Sequence, residues 1–174
     1  MTISRRRFVV GSAAAVGGLS LGFHVPLPNS ARAADAATEI NAWVVVKADE
    51  TVVIRIARSE MGQGTLTGLA QLVAEELECD WNKVATEGIS PGRNLASKRA
   101  WGEMGTGGSR GIRTSEDYVR RGGAAARIML LQAAAEQLKV PVGELSVSEG
   151  VITHGASKQQ LRYCLLYTSD AADE

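Results

Sequence analysis

Apolar and polar positions alternate with two different periods along this chain, and the change of period marks its elements. Residues 40–48 (Ile-Asn-Ala-Trp-Val-Val-Val-Lys-Ala) and 51–57 (Thr-Val-Val-Ile-Arg-Ile-Ala) are β-branched runs separated by Asp49-Glu50, which predicts a hairpin. The runs are nearly continuous in apolar character, so both faces of their sheet are expected to be covered. Leu66, Leu69, Ala70, Val73 and Leu77 then recur at helical spacing and predict one buried stripe, with Thr65 as the N-cap. Glu75, Glu76 and Glu78 crowd the end of that helix, where negative charge is mildly unfavourable and nothing local compensates it. Residues 83–89 predict a short strand, and 90–111, rich in Gly and Arg, a long irregular stretch of the kind that carries function. A second helix is predicted from Thr114, with Asp117 completing a capping box, through Val119, Gly123, Ala126, Leu130, Ala133 and Leu138 to a stop before Pro141. Its Gly122-Gly123 pair costs helix propensity and predicts close approach of a neighbouring element. Leu145 to Val147 and Val151 to Thr153, joined at Gly150, predict a second hairpin. The fold class is α+β: β-hairpins packed with two helices.

Both ends break this pattern. Ser4-Arg5-Arg6-Arg7-Phe8, an apolar Gly/Ala-rich run to Phe23 and the small-x-small site Ala31-Arg32-Ala33 predict a twin-arginine signal over residues 1–33. The apolar run is shorter than the roughly 20 residues of a spanning helix, although an uncleaved signal would anchor the chain in the membrane. Residues 34–39 read as a flexible linker. Residues 162–174 read as a non-native tail: from Cys164 they resemble translated sequencing-adapter read-through. That puts a continuation of the natural chain past about Leu161.

With 19 basic and 19 acidic residues the net charge is zero, and no basic face points to nucleic acid. Setting the tail aside leaves Cys79 as the single cysteine, too few for an internal disulfide or an iron–sulfur site.

The chemistry concentrates in Ser59-Glu60-Met61-Gly62-Gln63-Gly64, between a strand and a helix. Such a loop can present backbone N–H groups to an anion, reinforced by the helix N-terminus. Gly62-x-Gly64-x-x-x-Gly68 with Glu87 further on also approximates a dinucleotide-binding pattern. Against that reading, four residues separate Ala57 from Gly62, and the strand belongs to a hairpin where a βαβ unit would start. A non-catalytic periplasmic interaction domain is the remaining alternative. Cofactor analysis separates the three.

Glu60-Met61-Gly62-Gln63-Gly64 resembles the Met-Gly-Gln-Gly loop of molybdenum hydroxylase large subunits, the xanthine dehydrogenase and aldehyde oxidase family, in the branch of the isoquinoline 1-oxidoreductase beta subunit. Trp101-Gly102-Glu103-Met104-Gly105-Thr106-Gly107-Gly108-Ser109-Arg110 resembles that family's second pterin-contacting loop. The resemblance runs from about Ile40 to Thr153 and implies that residues 40–161 are part of a larger molybdopterin-binding subunit. It implies cofactor contacts by Met61, Gly62, Gln63 and Gly64 and by Thr106, Gly107, Gly108 and Ser109. It also implies a molybdopterin cofactor, with the cytosine dinucleotide form as one option, and iron–sulfur clusters on a partner small subunit. A cytochrome is one option for the electron acceptor. The implied reaction hydroxylates an aldehyde or N-heterocycle with oxygen from water, in an enzyme exported to the periplasm. The family's catalytic glutamate lies in a more C-terminal segment without a match here, so Glu60 is not that base. Arg110 and Arg113 are secondary candidates for a phosphate contact, and His154 reads as structural.

Overall fold

The computed structural model describes residues 37–166. The expected signal, the linker up to residue 36 and residues 167–174 lie outside the described residues. The linker expected over 34–39 is in part a strand, β1 (Ala37–Glu39), which pairs antiparallel with β2 (Val44–Lys47). Glu39 is held there by Arg55, at 2.9 Å.

The predicted hairpin is β2 with β3 (Val52–Ile56), in the register Val44↔Ile54 and Val46↔Val52. Glu50 in its turn adopts a left-handed φ of 71°. The first predicted helix is α1 (Thr65–Leu77), which leads to β4 (Val84–Gly88). β4 pairs with β3 in parallel, so the strand order is β1-β2-β3-β4. The hairpin expectation for 51–57 was therefore incomplete: β3 also opens a β-α-β crossover, a long-range pairing that no local pattern signals.

One face of this sheet carries the core. Val44, Val46, Val52, Ile54 and Ile56 pack with Leu69, Val73 and Leu77 of α1. The opposite face is covered only in part: Val45 and Arg55 are buried, while Lys47, Val53, Ala85 and Glu87 beside them line a hollow.

The stretch expected to be irregular contains two short helices, α2 (Pro91–Ala96) and α3 (Arg110–Arg113). Ser90 caps α2 through its Oγ, which accepts from Arg93 N at 3.2 Å, and Pro91 occupies the first turn. α4 (Glu116–Leu138) is the second predicted helix. Its expected capping box is absent. Thr114 ends α3, donating its hydroxyl to the Arg110 carbonyl at 2.7 Å, and Ser115 precedes α4 without a side-chain cap bond.

The α1–α4 contact explains two oddities of the sequence. Arg120 meets Glu75 and Glu76 at 3.0 and 2.6 Å, and Arg127 pairs with Glu78, so the acidic end of α1 is neutralised from across the interface. Gly122 and Gly123 sit where α4 comes closest to Trp43 and to the α1 backbone.

The second hairpin is β5 (Leu145–Ser148) with β6 (Val151–His154), joined through Glu149 and Gly150 at φ 51° and 75°, and β7 (Gln160–Arg162) adds a third strand. The boundary expected after Leu161 falls inside β7. Tyr163 follows, buried, donating its hydroxyl to the Leu77 carbonyl at 2.7 Å. His154 is buried, with Nδ1 at 2.7 Å from Ser157 Oγ and Nε2 at 2.8 Å from Glu144, in keeping with a structural role. The fold is thus two small sheets flanking two main helices, the expected α+β class.

Candidate functional site

β3 delivers the first glycine loop, and the turn into α1 shapes it. Gly62 and Gly64 hold φ of 91° and 76°, conformations that side chains rarely adopt. The expected N-cap Thr65 is instead the first, buried residue of the helix. Capping falls to Glu60, whose Oε1 accepts from Gly62 N at 2.6 Å and Gly64 N at 3.1 Å, and whose Oε2 accepts from Leu66 N at 3.0 Å. The nest of N–H groups expected to face an external anion is therefore closed by the chain's own carboxylate. Spacing alone did not reveal this, because any acid two to six residues before those amides can fold back on them.

Gln63 braces the same loop. Its Nε2 donates to the Ser59 carbonyl at 2.7 Å, and its Oε1 accepts from Met61 N at 2.6 Å. An amide has two donors and two acceptor lone pairs, so one donor and one lone pair stay open for a ligand.

The second loop is held by its own arginines. Arg110 Nε donates to the Gly107 carbonyl at 3.0 Å, with Glu103 at 3.3 Å from Nη1; Arg113 Nη2 reaches the Gly108 carbonyl at 3.5 Å. Both secondary phosphate candidates thus spend hydrogen bonds on loop carbonyls. Ser109 sits at φ 56°, a left-handed conformation that costs energy for a non-glycine residue. Asn94 fastens the loop's start, donating to the Gly102 carbonyl at 2.9 Å and accepting from Trp101 N at 3.2 Å.

The two loops meet. A cleft of about 370 Å³ is lined by Met61, Gln63, Thr65, Thr106, Ser109, Gly111 and Ile112. Four of the eight expected contact residues, Met61, Gln63, Thr106 and Ser109, line it directly; Gly62, Gly64, Gly107 and Gly108 shape the loops around it. Thr65, Gly111 and Ile112 were not foreseen; Thr65 and Gly111 touch where the helices cross, since a Cβ on Gly111 would lie 2.9 Å from Thr65 Oγ1. The lining mixes amide and hydroxyl groups with two apolar side chains, Met61 and Ile112. Such a set suits a flat heterocycle with a polar edge. Among the described residues no group of three His, Cys, Asp or Glu is placed to hold a metal ion.

Glu87 does not face this cleft as a ribose acceptor. It takes Arg55 Nε at 2.9 Å and Arg93 Nη1 at 2.5 Å. Burial alone would raise its carboxyl, but the two arginines hold it below the ordinary value. The acid that the dinucleotide reading needs is committed elsewhere.

The molybdopterin cofactor-binding domain model matches residues 4–170. The chain belongs to that family. It is 37% identical over 135 residues to the isoquinoline 1-oxidoreductase subunit beta of Brevundimonas diminuta, across 77% of this chain and 17% of that protein. It is 31% identical over 166 residues to the membrane-bound aldehyde dehydrogenase [pyrroloquinoline-quinone] of Gluconacetobacter polyoxogenes, across 90% of this chain and 20% of that protein. The fold resembles the reconstituted CO dehydrogenase from Oligotropha carboxidovorans with a TM-score of 0.56 at 22% identity, over 71% of this chain and 15% of that one. The chain spans about a fifth of the length of the curated relatives it matches.

The Glu60 contact has a measurable consequence. Backbone hydrogen bonds, first from Leu66 and then from Gly64, hold its carboxyl below the ordinary 4.5. A carboxyl depressed in the folded state adds order that is complete above its ordinary value and is lost as pH falls through the folded one. The loop is expected to stay closed at neutral pH and to open in acid, below 4.5. Carbon-13 titration of the Glu60 carboxyl checks this, and a midpoint at or above 4.5 contradicts it.

Proposed function

We propose that this chain forms one wall of the cofactor site of a molybdenum hydroxylase, and that residues 40–161 work within a subunit comparable in length to the curated relatives. The observation that carries the reading is the convergence of the loops at Gln63 and Ser109 on one cleft. The first loop meets the ligand through side chains, because its amides are closed by Glu60. The open donor and lone pair of Gln63, with Thr106 and Ser109 opposite, suit the edge of a pterin, and Met61 and Ile112 suit its ring faces. Bound there, the cofactor supplies two-electron oxidation chemistry; the chain supplies orientation and hydrogen bonds.

The substrate class is an aldehyde or an N-heteroaromatic ring, with water as oxygen source; the names of the two curated relatives support both. Electrons leave through iron–sulfur clusters on a partner subunit and on to an acceptor such as a cytochrome. The cytosine dinucleotide form of the cofactor is compatible with a cleft open beyond these loops.

The decisive variant is Gln63→Ala in the complete subunit. Each hydrogen bond lost from a site closed over its ligand costs about 1–3 kcal/mol, so two lower cofactor retention by well over tenfold. Gln63→Glu is expected to retain less still, since it sets a charge beside Glu60 and an anionic ligand. Wild-type molybdenum and pterin content in purified Gln63→Ala protein sinks the assignment.

Export is part of the same reading. A cofactor assembled in the cytoplasm has to leave with a folded protein, and Arg5 and Arg6 stand in the pattern that such transport uses. Cell fractionation of the Arg5→Lys, Arg6→Lys double variant is expected to find the protein retained in the cytoplasm; unchanged export removes this part of the proposal.

A further inference from the structure

Arg58 takes no part in the cleft lining, yet it is 3% exposed and lies between the two loops. It stands two residues past the end of β3, with Ala57 between, and immediately before Ser59 at the start of the first glycine loop. All three of its nitrogens donate to the other side: Nε to Ser115 Oγ at 2.9 Å, Nη2 to Thr114 Oγ1 at 3.0 Å, and Nη1 to the Gly105 carbonyl. Gly105 begins the segment whose next residue, Thr106, lines the cleft; Thr114 and Ser115 stand between α3 and α4. One planar guanidinium thus fixes both ends of the second loop relative to the base of the first. Lysine has the charge but not the three-way fork.

The partners are all neutral. The ion pairs among the described residues give carboxylate partners to Arg55, Arg93, Arg110, Arg120, Arg121, Arg127 and Arg162, and none to Arg58. A buried cation without a counterion is expensive and persists only where its geometry is over-determined or its charge is used. Tyr118 strengthens the anchor, donating its hydroxyl to the same Ser115 Oγ at 2.7 Å.

We infer that Arg58 is the positioning residue of the cleft: it sets the distance between the Met61–Gln63 side and the Thr106–Ser109 side, and its charge, which meets no carboxylate among the described residues, favours an anionic ligand between them. The inference rests on reading the cleft as the cofactor site. Arg55, buried on β3 but paired with Glu39 and Glu87, is the natural control.

The experiment compares Arg58→Met, Arg58→Lys, Arg55→Met and Gln63→Ala in the complete subunit, measuring molybdenum and pterin retained after dialysis and amide hydrogen exchange. Arg58→Met is expected to release the cofactor about tenfold faster than wild type, the order expected when a charge-assisted network is removed. Arg58→Lys should fall between the two. Exchange is expected to rise over residues 105–113 while α1 and β3 stay protected; a purely structural role would raise it throughout. Should Arg58→Met not fold, Arg58→Lys carries the test. Wild-type retention by a folded Arg58 variant, with Gln63→Ala depleted, overturns the role of Arg58 alone. Wild-type retention by both Arg58→Met and Gln63→Ala overturns the cleft reading itself.

Discussion

Gly123→Ala is expected to destabilise the fold by about 2–3 kcal/mol, the range for forcing extra volume into a packed contact. A Cβ at this position would stand 2.5 Å from the Val73 carbonyl oxygen and 3.1 Å from Glu76 Cβ. The obstruction is backbone on one side, so no rotamer relieves it. The helix propensity recovered by replacing a glycine, roughly 1 kcal/mol, is smaller than the clash and does not reverse the sign. Gly122→Ala meets Trp43 Cδ1 at 2.7 Å, a side-chain atom, but Trp43 is itself wedged 5.3 Å from the Tyr118 ring centroid. Thermal or denaturant unfolding of both variants beside wild type reads the difference. A stabilised Gly123→Ala variant would show that α4 does not approach α1 at this point.

Trp101→Ala is expected to cost more, about 3–5 kcal/mol, as for other buried aromatic truncations. Trp101 is 2% exposed and its ring stands edge-on to Trp43 at 6.4 Å. Its Nε1 donates to the Ala42 carbonyl at 2.9 Å, a bond that ties the entry of the second glycine loop to the entry of β2. Removing the ring empties the small core formed with Ala57 and Ile89 and leaves that carbonyl without its donor. Denaturant midpoints give the magnitude, and amide exchange over 102–110 shows whether the loop loosens with it. A loss below about 1 kcal/mol would mean that the loop is held from elsewhere.

What could be read from the chain beforehand follows from the range of each interaction. The β2–β3 hairpin and the α1 stripe were legible because their partners lie within a few residues and impose a period. The two glycine loops were legible as motifs. Their meeting at one cleft depended on α3 crossing α1, which no spacing encodes. The parallel pairing of Val52 with Val84 joins segments separated by a whole helix. Glu75, Glu76 and Glu78 looked unbalanced because Arg120 and Arg127 lie more than forty residues away. The short helix α2 carried its signal openly in Ser90-Pro91, which the Gly and Arg content around it obscured. Arg58 gave no signal at all: an arginine at a strand end is ordinary until its neighbours are known. Glu60 stood in plain view, and only its direction was hidden.

The sharing of β3 between an antiparallel and a parallel neighbour bears on the order in which the chain assembles. The β2–β3 pairing is local and closes on the microsecond scale of a hairpin. The β3–β4 pairing has to wait for α1 to form and swing back, and loop-closure entropy delays it. Until α4 arrives, some forty residues later along the chain, Leu69, Val73 and Leu77 have only one face of the sheet to lie against. A nascent polypeptide stalled between those two points exposes the apolar face of α1 that α4 covers in the finished fold, a state prone to association. The interval between residues 88 and 138 is therefore the stretch of synthesis over which chaperone engagement matters most, and ribosome-bound nascent chains released at those lengths would differ in protease resistance accordingly.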